Sequence, residues 1–213
     1  MSQIYAVLTG DLVNSTQTDP AIVEQAFQAL ADAAEVASAF SADHPVRVER
    51  YRGDGWQSLI SDPRYALRAA LLFAAAVAST HSSIATRIAI GLGPVETLHL
   101  DQLGASDGAA FRESGRLLEA MSKRVRLDIS EDTPPLGALP LWRRQAVQLA
   151  GALSENWTQK QALVMRFLLA LPAPSQTEVA EQIGVSQQTV QKHFDTARGA
   201  ILLDGLEAIE QTA

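Results

Sequence analysis

The sequence predicts an α+β protein: a ferredoxin-like α/β sandwich over residues 1–130, followed by an all-α helix-turn-helix domain over 141–213. Three observations lead there. Strand-like and helix-like segments alternate as far as Glu131, and almost everything after it reads as helix. The stretch EDTPPLGALP, residues 131–140, holds three prolines and a glycine and marks a linker between the two parts. The segment 176–194 carries small, apolar and turn-forming residues at the spacing of two closely crossing helices.

In chain order, residues 4–8 read as a buried strand that ends at Thr9-Gly10-Asp11. Between 20 and 40 the apolar residues Ile22, Val23, Ala26, Phe27, Leu30, Ala34 and Ala37 recur at helical spacing. Two strands over 46–52 and 56–60 flank Gly53-Asp54-Gly55, a hairpin signal. An alanine-rich helix follows over 63–79, then a strand over 86–91 and a helix over 108–123. The order β-α-β-β-α-β-α is that of a ferredoxin-like sandwich rather than a doubly wound sheet. From Arg126 the chain is expected to run directly into the linker. Beyond it, helices are predicted at 141–154, 158–171, 175–182, 186–198 and 200–211, with breaks at Pro172, Pro174 and Gly184.

Composition narrows the function classes. The 213 residues contain no cysteine, which excludes disulfides, zinc-thiolate sites and thiol catalysis. The longest apolar run, ALRAALLFAAAVAS, is too short to span a bilayer, and MSQIYAVLTGD lacks the layout of a secretion signal. A cytoplasmic protein with no membrane partner is therefore expected. The net charge of −7 weighs against extensive phosphate contacts, and residues 142–213 hold six Lys/Arg against seven Asp/Glu. Any basic face has to be local.

The second part carries the stronger motif. Ala180 supplies a small residue where the two helices cross, and Gly184 a residue that tolerates positive φ in the turn. Val179, Ile183, Val185 and Val190 are the expected shared core, and Ser175 and Ser186 the expected N-caps. Ser186, Gln187, Gln188, Thr189, Gln191, Lys192 and His193 then border or line a recognition helix. Glutamine pairs bidentately with adenine, and lysine reaches guanine or phosphate, so double-stranded DNA is the expected partner. The plainer alternative is a helical pair that serves only packing or dimerisation.

In the first part, Asp11 in TGDLVNST and Asp54 in RYRGDGWQ follow strand-like segments beside glycine, a common position for metal-binding carboxylates. Ser15 and Thr16 are placed to meet phosphate. Each also has a structural alternative, as a routine Asp-Gly turn or the start of a helix.

Taken together, GDLVNST, RYRGDGWQSLI, RIAIGLGPV and DGAAFRESGRLLEAM, in that order, resemble the class III nucleotidyl cyclase catalytic domain. They resemble more closely its small bacterial relative, the SatD family, which joins such a domain to a carboxy-terminal helix-turn-helix. The likeness covers about residues 4–125. Residues 157–209 resemble the sigma-factor region 4 type of helix-turn-helix. The resemblance implies a cyclase/palm-type sandwich in which Asp11, Asp54 and the Leu12 carbonyl hold Mg²⁺ or Mn²⁺. It implies that Val13, Asn14, Ser15 and Thr16 cradle phosphate, that Arg50 takes the purine-selecting position, and that Arg116 takes the place of a catalytic arginine stabilising transition-state charge. Arg112 stands at a nucleotide-binding position where cyclases have asparagine, and the later lysine-bearing strands are missing. A solvated helix face is the alternative for both arginines.

Three functions follow as expectations: a DNA-binding transcriptional regulator that senses a nucleotide-type ligand, a metal-dependent nucleotidyl cyclase or nucleotide-processing enzyme held at DNA, or a DNA-binding protein whose first part only dimerises. All three imply a homodimer.

Overall fold

The computed structural model describes residues 3–41, 43–51, 53–130 and 141–212. The proline-rich linker expected at 131–140 lies outside them.

Strand β1 (Tyr5–Val13) alternates its side chains between two faces. Ala6, Leu8 and Leu12 enter the main core, while Val7 enters a smaller one on the opposite side. Helix α1 (Pro20–Ala37) starts with proline at its first position, and the Asp19 carboxylate accepts the Ala21 N–H; a 3-10 turn, Ser38–Phe40, extends it. Strands β2 (Val48–Tyr51) and β3 (Gly55–Ile60) form the expected hairpin. A 3-10 turn at Pro63–Tyr65 leads into α2 (Ala66–Thr80), and β4 (Ala85–Gly93) follows. A short antiparallel pair, β5 (Val95–Thr97) with β6 (Asp107–Gly108), precedes α3 (Ala109–Ala120) and β7 (Leu127–Ser130).

The main sheet has the order β2-β3-β1-β4-β7. Its first three pairings are antiparallel and β4 with β7 is parallel. Four strands in the order 2-3-1-4 with α1 and α2 on one face make the ferredoxin-like arrangement that the element order predicted, and α3 covers the other face. Helix α2 is apolar nearly all round because it is enclosed, with the sheet beneath it, α1 beside it and later helices over it.

Two sequence expectations need correction. Strand β1 does not end at Thr9-Gly10-Asp11 but runs on to Val13, paired with β3 as far as Asp11 and with β4 throughout. Gly and Asp favour turns in isolation, but here Gly10 is needed for a close approach: a Cβ on it would lie 2.4 Å from the Trp56 ring. Asp11 is thus a strand residue opposite Gly55 and Arg87. Nor does the chain run from Arg126 straight into the linker, since Leu127–Ser130 forms β7 and hides Leu127 against β4.

Five helices follow: α4 (Leu141–Glu155), α5 (Gln159–Leu168), α6 (Gln176–Ile183), α7 (Gln187–Thr196) and α8 (Gly199–Thr212). Trp157, Ala162, Met165, Leu202 and Leu206 belong to the same apolar core as the sheet and α2. Ion pairs fasten the helices to the sheet part: Arg68 to Glu210 at 2.6 Å, both nearly buried, Arg144 to Asp128 at 2.6 Å, and Arg126 to Glu155 at 2.7 Å. Among the described residues no helix is long and apolar enough to cross a membrane.

Candidate functional site

Chain reversals at the end of β1 and between β2 and β3 build a cleft. After β1, Asn14 adopts φ 63°, a left-handed conformation that asparagine tolerates. Its carbonyl then accepts the Gln17 N–H and the Thr18 hydroxyl, which turns residues Ser15–Gln17 back over the strand end. The β2–β3 turn reaches the same place. Gly53 sits at φ 75°, and the Asp54 carbonyl accepts the Leu12 N–H at 3.1 Å. In an antiparallel ladder the two backbone groups of a residue point the same way, so the Leu12 carbonyl is turned toward this edge too.

Two adjoining cavities result. One, of about 310 Å³, is lined by Asp11, Leu12, Val13, Asn14, Ser15, Thr16, Gln17, Asp54, Arg87 and Lys123. The other, of about 610 Å³, shares Ser15, Thr16 and Asp54 and extends to Glu24, Arg50 and Gly53. The Ser15 hydroxyl donates to Asp54 Oδ2 at 2.5 Å. Arg50 donates to the Gly53 carbonyl at 2.7 Å, pairs with Glu24 at 3.2 Å and lies 4.1 Å over the Phe27 ring.

Arg87 sets the electrostatics. Its guanidinium grips both oxygens of Asp11, with Nε at 2.9 Å from Oδ1 and Nη2 on Oδ2, and it reaches the Met121 carbonyl at 3.3 Å. The hydrogen-bonded Asp11 carboxylate raises the Arg87 pKa above its already high ordinary value against the opposing effect of burial, and the charge of Asp54 adds to the rise. Two carboxylates therefore face two cations, Arg87 and Lys123, across one cleft.

Sequence reasoning named Asp11, Leu12, Val13, Asn14, Ser15, Thr16, Asp54 and Arg50, and these residues line the two cavities. Arg112 and Arg116 line neither. Arg112 is held on the surface by Glu96 at 2.9 Å and Asp107 at 2.7 Å. Arg116 pairs with Glu113 at 2.9 Å on its own helix. Arg87 and Lys123 were not named. The signal for Arg87 was a charge inside the apolar run RIAIG, but its place opposite Asp11 depends on strand register, which the sequence does not print.

In the helical part, α6 and α7 form the crossing pair. Ser175 and Glu178 make a full capping box, Ser186 accepts the Thr189 N–H, and Gly184 adopts φ 70°. Val179, Ala180 and Val190 are buried with Val164 and Leu168 of α5. Val185, expected in that core, is instead 41% exposed. It follows the left-handed turn directly, and Phe194 and Leu203 pack against the cluster from other directions. Ser186, Gln187, Gln188 and Lys192 are exposed, while Thr189, Gln191 and His193 are half-buried. Gln187 donates to Gln176 at 3.1 Å and Gln191 to Asp195 at 2.7 Å.

No known family's sequence profile matches the chain, and no curated protein matches it. Solved structures that overlap with it include the guanylyl cyclase Cya2, at 15% identity over 61% of this chain and 77% of that one, with a TM-score of 0.39. A non-canonical dimeric guanylyl cyclase domain of the RhoGC fusion protein from the aquatic fungus Blastocladiella emersonii overlaps at 18% identity over 61% and 79%, with a TM-score of 0.43. A class III adenylyl cyclase-like ATP-binding protein from Pseudomonas aeruginosa overlaps at 12% identity over 75% and 41%, with a TM-score of 0.31. Overlaps this partial say nothing about the chemistry of the cleft.

Proposed function

We propose that this protein is a DNA-binding regulator whose α/β part binds a phosphorylated nucleotide-type ligand in the Asp11–Asp54 cleft. The observation that carries the reading is the cleft itself: two carboxylates, the turn at Ser15–Gln17 and two cations converge there, and the space continues to Arg50. A ligand that favours one arrangement of the molecule over another would alter how α7 meets DNA.

The donor set suits a hard divalent cation such as Mg²⁺ or Mn²⁺ in part. Asp54 and the Leu12 carbonyl are oxygen donors at one edge, but both Asp11 oxygens are held by Arg87. Asp11 joins a metal site once that pair opens. A cation held there would offset phosphate charge. Lys123 and the freed Arg87 would balance the remainder, while Asp54 is oriented by Ser15. On the DNA side, Gln187 and Gln188 offer amides for base edges and Lys192 a phosphate contact, in a homodimer that reads paired half-sites.

A thermal-shift panel tests the ligand. A nucleoside triphosphate with Mg²⁺ or Mn²⁺ should raise Tm, and Asp54→Asn should remove the rise. An unchanged rise in that variant would refute the assignment. For DNA, Lys192→Ala should weaken binding on all sequences and lower its salt dependence. Wild-type affinity in that variant would separate α7 from DNA.

The second reading, a metal-dependent nucleotidyl cyclase or related enzyme, is favoured by the convergence of Asp11, Leu12 and Asp54 on one cavity. Within one chain, Arg112 and Arg116 are engaged by Glu96, Asp107 and Glu113 rather than by the cleft, which favours binding over turnover.

A further inference from the structure

Both carboxylate oxygens of Asp11 are already taken. Arg87 Nε lies 2.9 Å from Oδ1, its Nη2 sits on Oδ2, and its Nη1 is anchored on the Met121 carbonyl at 3.3 Å. The negative charge of Asp54 also stabilises this guanidinium. Lys123 lines the same cavity, exposed at its wall, and has no ion partner among the described residues.

A divalent cation that enters alone has to displace Arg87 from Asp11. The displaced guanidinium, on a side chain only 16% exposed, is then left without its anion and beside a second positive charge. Breaking a partly buried pair by removing one partner is costly. Two carboxylates already face two cations here, so the cleft offers a bare cation little net attraction. A phosphate changes that balance. It gives the released guanidinium a bidentate partner in place of Asp11, and Lys123 is a second cation for it. One ion pair is exchanged for two: Arg87 with phosphate, and Asp11 with the cation.

We infer that Arg87 makes cation binding in this cleft conditional on phosphate. The inference rests on the reading of the cleft as a metal and phosphate site, and it names the residue that couples the two. The coupling is reciprocal, so each occupant raises the affinity for the other by the same factor, typically about 5–150-fold. A free divalent cation alone then leaves the cleft closed, and the phosphorylated ligand becomes the signal.

Mn²⁺ binding to the full chain, followed by electron paramagnetic resonance without phosphate or nucleotide, tests this. Arg87→Met should bind Mn²⁺ at least about tenfold more tightly than the wild type, and adding Asp11→Asn should remove the gain. Arg87→Gln should also gain, and it covers the case in which Arg87→Met does not fold. Lys123→Met removes the same charge without freeing Asp11 and should gain far less. Binding of tripolyphosphate with Mg²⁺, measured by calorimetry, should move the other way and weaken at least about fivefold in Arg87→Met. A merely structural role for Arg87 would lower both affinities together, and that result overturns the inference. So does equal Mn²⁺ affinity in the wild type and both Arg87 variants, or a gain in Lys123→Met as large as in Arg87→Met. The Mn²⁺ titration contains no nucleotide, so a chain that fails to retain nucleotide still reports on Arg87.

Discussion

Arg87 shows how one side chain decides the state of the cleft. Its bidentate grip on Asp11 matches a carboxylate that is only a quarter exposed. Arg87→Met removes the partner and leaves Asp11 partly buried and unpaired, which should cost about 1–3 kcal/mol in urea unfolding after allowing for solvent screening. The double variant Arg87→Met with Asp11→Asn should cost less than the two single costs summed; strict additivity would show that the pair contributes nothing. Glu178 supplies a pH-dependent counterpart. Its carboxylate accepts the Ser175 backbone and side-chain donors, which lowers its pKa below the ordinary 4.5. A carboxylate with a depressed folded pKa stabilises above its unfolded pKa, and that contribution is lost as pH falls through the folded one. An NMR titration of Glu178 should therefore give a midpoint below 4.5; a midpoint at or above it would contradict the capping box. Asp11 and Asp54 were legible in the sequence because carboxylates beside glycine are conspicuous, and Arg50 only through the family resemblance. Arg87 was not, because its partner is 76 residues away and only strand register joins them.

At the scale of elements, the helical pair was legible almost to the residue, since its signals are local: a cap, a small crossing residue and a glycine turn. Gly184 at φ 70° is the most testable of these. Gly184→Ala forces a Cβ into left-handed backbone and should cost about 1 kcal/mol, or roughly 2–4 °C in Tm for a chain of this size. An unchanged Tm would mean that the turn relaxes. The strands were less legible. Strand β1 continues past Gly10 because Trp56 needs the space a side chain would fill, a tertiary demand that overrides the turn preference of Gly-Asp. Strand β7 has four residues and gains its stability from β4 and α4 rather than from its own pattern.

For the molecule as a whole, the sheet part and the helices share one apolar core, and the buried Arg68–Glu210 pair ties α2 to α8. Calorimetry should show one unfolding transition with matching calorimetric and van't Hoff enthalpies; two transitions would mean that the halves fold independently. The β-α-β-β-α-β order made the sandwich legible from the sequence, whereas the shared core was hidden because α2, apolar on nearly all sides, could as easily have been enclosed by the sheet part alone. Packed elements join the cleft to α7: β4 carries Arg87, α2 packs on β4, α5 on α2, and α7 on α5. The most direct test of the proposed function is chromatographic. Protein is incubated with each nucleoside triphosphate and Mg²⁺ or Mn²⁺, and both retained nucleotide and product are measured. The regulator reading predicts metal-dependent retention of intact nucleotide that Asp54→Ala abolishes. Release of a cyclic or oligonucleotide product, lost in the same variant, would contradict it and make the protein a nucleotide-processing enzyme; no retention with any nucleotide would remove the ligand from the cleft altogether.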